Sequence, residues 1–149
     1  MAVFFQFEAD FVKSLRCIPM QVRYHLDMCG IKLKLPQWEK FDLADRQQLA
    51  DHTTNNAAEI QKYRDLLVEM IRSRTGETAT ELAIDPTPPW SDMTVIPALI
   101  QSRCRNAGLE ISLEQWAELS PLQRFALFKL TGSSHEQNNF VPALREFGL

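Results

Sequence analysis

Residues 18–50 read IPMQVRYHLDMCGIKLKLPQWEKFDLADRQQLA, and residues 96–128 read IPALIQSRCRNAGLEISLEQWAELSPLQRFALF. The second stretch repeats the first without a gap: 18 maps to 96 and 50 to 128, a constant offset of 78. Ile18, Pro19, Gly30, Gln37, Trp38 and Arg46 meet Ile96, Pro97, Gly108, Gln115, Trp116 and Arg124. Self-similarity at fixed spacing means one supersecondary unit made twice, the copies packing together to bury a shared core. It constrains the fold more than any other feature of this chain and says nothing about what the pair is for.

Each copy has the same internal order. A proline opens a helix, where a missing N–H costs nothing. Ile18, Val22, Leu26 and Cys29 form an apolar stripe at helical spacing, as do Ile96, Ile100, Cys104 and Ala107. Gly30 and Gly108 then stop the helix in the left-handed conformation. Past the glycine the period changes to two. Ile31, Leu33 and Leu35 point one way and Lys32 and Lys34 the other; Leu109, Ile111 and Leu113 alternate likewise with Glu110 and Ser112. This pattern predicts a short half-buried strand or an extended connector in each copy. A tryptophan follows, and then a helix capped by Asp42 in one copy and by Ser120 with Pro121 and Gln123 in the other.

Outside the copies, residues 3–12 carry Phe5, Phe7 and Phe11 and read as an extended arm or short strand laying aromatics on the core, with an exposed docking site as the alternative. Asn56 with Glu59 caps a central helix whose stripe is Ile60, Tyr63, Leu67, Met70 and Ile71, ending near Gly76. A linker, about 76–95, holds Pro86, Pro88 and Pro89, which preclude regular helix. After a break at Gly132-Ser133-Ser134 a last helix runs from Asn139 to Phe147.

Composition sets outer limits. A chain of 149 residues reads as one domain, 1–149, able to bury a core without staples. Hydrophobic residues at 45% and charged residues at 23% are ordinary for a soluble globule. A net charge of −3 argues against bulk binding to nucleic acid, which rests on cations against phosphate. No apolar run is long enough to span a bilayer. The start lacks a basic segment, and Glu8 and Asp10 interrupt it, so it does not read as a signal peptide. Three cysteines, an odd number, point to reduced thiols in a cytosol. The fold expected is mainly α: a single compact helical domain built from two pseudo-repeats, with room for a short two-stranded β ribbon.

The residues that could carry chemistry are few. Cys17, His25 and Cys29 could reach one metal ion, since His25 and Cys29 lie four apart on a helix. A structural site needs four ligands in close pairs, and no C-x-x-C or H-x-x-x-H is present. The repeat places Cys29 at the slot of Ala107 and Cys104 at that of Leu26, which suits volume-filling thiols and no metal. His52 and His135 lie near Thr53 and Ser134, without a G-x-S-x-G elbow. There is no phosphate cradle in a chain with five glycines. The chain therefore reads as a binder and not an enzyme, with no cofactor.

Charge separates the two copies. Arg16, Arg23, Lys32, Lys34 and Lys40 gather in the first; Glu110 and Glu118 replace Lys32 and Lys40 in the second. Three readings stay open: a solvated face, cross-strand pairing of Lys32 and Lys34 with Glu110 and Ser112, or a basic docking face for an anionic partner. Trp90, in the linker and without a counterpart, is the contact candidate among the three tryptophans, packing of the linker onto the domain being the favoured alternative. Candidate partner-binding residues are thus Arg16, Arg23, Lys32, Lys34, Lys40 and Trp90.

The stretch FQFEADFVKSLRCIPMQVRYHLDMCGIKLKLPQWEKF resembles the conserved nitrate reductase-associated protein family. FEADF, SLRCIPM, the CGIKL string and the tryptophan after it carry the resemblance, which continues through YRDLL into the second copy. Members are small proteins encoded beside assimilatory nitrate reductase, an enzyme of molybdenum-cofactor and iron–sulfur chemistry. The resemblance implies a cytoplasmic accessory protein that supports maturation or activity of nitrate reductase by protein binding. The alternatives are a small metal- or cofactor-handling protein using Cys17, His25 and Cys29, and a helical nucleic-acid binder. The latter needs a basic recognition helix, which the helices after Asp42 and Ser120 do not supply. Oligomeric state is not legible.

Overall fold

The structure, a computed structural model, describes residues 3–9, 15, 17–132 and 138–149. Eight α-helices and one two-stranded antiparallel ribbon make up the regular structure of the described residues, so the fold is mainly α. Contacts sort the chain into two compact units, one around Glu8–Ile84 and one around Asp85–Leu149 with Phe5–Phe7. Each unit contains one of the duplicated stretches.

In the first unit α1 (Met20–Cys29) ends at Gly30, whose φ of 74° is left-handed as the sequence demands. β1 (Ile31–Lys32) follows, then α2 (Leu35–Lys40), α3 (Leu43–Asp51) and α4 (Ala57–Thr75). β2 (Thr80–Glu81) returns to pair with β1, Ile31 opposite Glu81 and Lys32 opposite Thr80. α1, α2 and α3 all pack on α4. The helix α4 has the expected cap, the Asn56 side chain accepting from the Glu59 N–H, and the expected stop at Gly76. Tyr63, Leu67, Met70 and Ile71 on its inner face close on Val22, Leu26, Cys29, Trp38, Leu49 and Ala50. Each large apolar side chain buried here contributes about 1.5–3 kcal/mol relative to exposure.

The second unit holds α5 (Ala98–Asn106), α6 (Leu113–Glu118), α7 (Pro121–Lys129) and α8 (Phe140–Glu146). α7 is its hub, packed on α5, on α8 and on a 3-10 turn at Pro89–Ser91. Its buried face is Phe125, Ala126 and Leu127. From α2 to α6 the bounds move from 35 to 113 and from 40 to 118; from α3 to α7, from 43 to 121 and from 51 to 129. That is the offset of 78 at these four bounds; from α1 to α5 the start moves from 20 to 98 but the end from 29 only to 106.

Four local expectations are corrected. Residues 31–35 do not form a full strand, because Leu35 begins a helix: the Lys34 N–H is taken by the Gln37 side chain. Residues 109–112 are the connector and not the strand of the two forms expected, and Leu113 opens a helix, capped by Ser112 with Gln115. Leu35, Leu109 and Leu113 are therefore exposed, not inside. Ala107 is exposed too, so its slot is no measure of the Cys29 slot. The fourth concerns the N-terminal arm. It makes a 3-10 turn at Gln6–Glu8, with Phe5 and Phe7 stacked on each other and edge-on to Phe147. Phe11 lies outside the described residues.

Candidate partner-binding surface

Lys32 and Lys34 are exposed while Ile31 and Leu33 are buried, the alternation read from the sequence. Lys34 is the residue before α2 and Lys40 its last, so a six-residue helix, about 9 Å long, separates their backbones. Among the described residues none of the three lysines has an ion-pair partner. The carboxylate that β2 brings beside them, Glu81, is taken instead by Arg64 at 2.6 Å. Arg64 also donates to the Cys29 carbonyl at 2.7 Å. Glu81 is thus engaged away from the lysines, and the carboxylate left exposed in the same short helix is Glu39, next to Lys40. Leu35, one residue after Lys34, and Leu43, three after Lys40, are 51% and 61% exposed. Cations mixed with bare leucines are what a protein-docking edge needs: charge for steering and apolar area for residence.

The other candidates are placed differently. Arg23 is half-buried on α1. Arg16 lies outside the described residues. Trp90 is not presented for contact: it is buried, edge-on to Phe125 at 86°, and its carbonyl accepts from the buried Arg124 at 3.0 Å. The cause is the 3-10 turn at Pro89–Ser91, which tucks the indole against α7. The partner of β1 is β2, so pairing of Lys32 with the 110–112 segment is not the strand arrangement formed.

His25 and Cys29 are committed to internal partners. The Gln21 amide nitrogen sits 3.3 Å from His25 Nε2 and the Thr54 hydroxyl 2.8 Å from Nδ1. An amide nitrogen can only donate, so Nε2 accepts and Nδ1–H donates to Thr54. Burial, followed by the neighbouring His52, lowers the His25 pKa to about 4. The ring is therefore neutral near pH 7. Burial likewise raises the Cys29 thiol to about 11, and the thiol points to the Leu26 carbonyl at 3.7 Å. Cys104 is buried and raised as well; Cys17 is exposed. Among the described residues no three His, Cys, Asp or Glu side chains gather as a metal set. No described helix is long and apolar enough to cross a membrane.

Sequence reading missed one structural device. Arg46 and Arg124, each eight residues after a buried tryptophan, spend their guanidinium N–H groups on backbone carbonyls. The recurrence of Arg at this spacing in both copies was the available signal.

The fold and this edge define a mainly helical protein with a minimal antiparallel ribbon and a lysine-bearing rim on its first unit. The chain belongs to the conserved nitrate reductase-associated protein family, whose model matches residues 4–147. No curated protein and no solved structure matches it.

Proposed function

We propose that this chain is a cytoplasmic accessory protein, not an enzyme, that supports the maturation or activity of assimilatory nitrate reductase by binding protein. The observation that carries this reading is family membership over nearly the whole chain. The edge bearing Lys32, Lys34 and Lys40 beside Leu35 and Leu43 supports it as the docking surface. Exposed cations speed encounter with an acidic surface without adding to fold stability. Deletion of the gene is the test. Strongly reduced nitrate reductase activity, with the reductase polypeptide still made, is expected. Wild-type activity in the deletion strain sinks the proposal. Copurification with a tagged copy from native lysate separates the two branches, maturation predicting capture of the apo-reductase and activity support capture of the holoenzyme.

A further inference from the structure

The segment that follows the left-handed glycine is covered by β2 in the first unit, and among the described residues no strand covers its counterpart in the second. In the first, β2 lies on β1 and the Leu82 N–H extends the ladder to the Gly30 carbonyl at 2.8 Å. A Cβ on Gly30 would sit 2.8 Å from Ile84 Cγ1 and 3.0 Å from the Leu82 carbonyl oxygen, so the cover is pressed close. Gly108 has the same backbone conformation, φ 71° against 74°. Yet among the described residues nothing lies within 4 Å of its Cβ position. Among the described residues no backbone donor reaches the Gly108 carbonyl. The surface beside it is an open groove of about 200 Å³ lined by Gln101, Cys104, Arg105, Leu109, Glu110 and Ile111.

A run outside regular structure, with Leu109 exposed, Ile111 half-buried and a glycine carbonyl open to a donor, can accept an added strand. We propose that this groove of the second unit receives an extended peptide segment of a partner protein, added antiparallel as β2 is added to β1. The cover seen in the first unit states the chemistry of the occupant. It offers an N–H to the glycine carbonyl and apolar side chains at alternate positions, the roles of Leu82 and Ile84. It differs at one position. Lys32 faces Thr80 in the first unit, and Glu110 stands 78 residues after Lys32, exposed and without an ion pair among the described residues. The occupant therefore carries Lys or Arg where β2 carries Thr80, since opposite charges directly across a strand pair attract. None of these residues belongs to the lysine edge, and the site does not depend on the proposed function.

The probe is a synthetic peptide of residues 78–85 with Thr80→Lys, titrated into the whole chain and followed by backbone amide NMR. Shifts at Gly108 to Ser112 are expected. Glu110→Lys weakens binding about two- to tenfold, the range of a reversed cross-strand pair. The matching peptide with Thr80→Glu recovers it. Leu109→Asp, at an exposed position, abolishes the shifts while leaving the rest of the amide spectrum in place. No shift at millimolar peptide, equal affinity for Glu110→Lys, or shifts confined to Ile31 and Lys32 each overturn the proposal. Concentration-dependent dimerisation removed by Leu109→Asp assigns the groove to a second copy and overturns it too.

Discussion

The Arg46 guanidinium lies over the Trp38 ring, 5.6 Å from its centroid, and its Nε donates to the Trp38 carbonyl at 3.2 Å. Its other nitrogens reach the Leu15 and Glu39 carbonyls, while the Trp38 Nε1–H also donates to Leu15. One arginine thus ties the end of a short helix to the chain that precedes α1. Arg124 does comparable work in the second unit for the Trp90 and Leu119 carbonyls, but from a buried position.

Replacing these arginines separates the two environments. Arg46→Met keeps an apolar stem and is expected to cost about 1–2 kcal/mol, because water can reach part of what it leaves behind. Arg124→Met orphans acceptors out of reach of water and is expected to cost about 2–4 kcal/mol. Lysine rescues neither fully, since one ammonium cannot copy a planar fork. Urea unfolding of the four variants is the check; equal losses at both positions contradict the account.

Gly30 and Gly108, two of the left-handed glycines, make a sharper pair. Alanine at either is strained by its positive φ, at about 1–2 kcal/mol. At Gly108 nothing more is added. At Gly30 the new methyl meets Ile84 and the Leu82 carbonyl, and the carbonyl belongs to backbone held by its own ladder bond. Gly30→Ala is therefore expected to be less stable than Gly108→Ala by at least about 1 kcal/mol. Thermal melts of both variants decide it.

What could be read from sequence was what depends on near neighbours. Asp42, Asn56 and Ser120 cap helices through residues three positions on, and Gly30 and Gly76 announce their conformation by identity alone. The alternation at 31–34 placed Lys32 and Lys34 outside. It misled at Leu35 and Leu113, where a capping bond from Gln37 or Ser112 starts a helix and outweighs the period-two pattern. Ser112 with Gln115 was a legible capping box that the alternation masked. What stayed illegible was long-range: β2 arrives about fifty residues after β1, Arg64 neutralises Glu81, and Phe125 hides Trp90.

His25 gives stability a specific pH dependence. Its folded pKa is lowered to about 4 from 6.5, chiefly by burial. The unfolded chain takes up a proton below 6.5 that the folded chain refuses until about 4. The contribution is whole above 6.5 and is lost as pH falls through that window, at a slope approaching 1.4 kcal/mol per pH unit and a total of about 3 kcal/mol. Asp45, whose carboxyl hydrogen bonds from Arg74 hold below its usual value, adds a separate loss only at lower pH. Unfolding free energy measured from pH 7 to 4.5 should show the His25 slope in the wild type, and His25→Gln should flatten it.

Charge reversal at the lysine edge tests its proposed role in docking without disturbing the fold. Lys32 and Lys34 are exposed and make no ion pair among the described residues, so Lys32→Glu with Lys34→Glu should change stability by no more than about 0.5 kcal/mol. Lys34 precedes α2, where a carboxylate meets the positive helix end, so that change should if anything raise the melting temperature slightly. Binding to nitrate reductase should instead weaken by about tenfold at low salt, mainly through slower association. Because exposed charges are screened over about 10 Å at 0.1 M salt, the gap between wild type and double variant should close as ionic strength rises. Surface plasmon resonance at two salt concentrations reads both effects. Unchanged association with a folded double variant would remove this edge from the interface, and a drop in melting temperature would show that the lysines serve the fold.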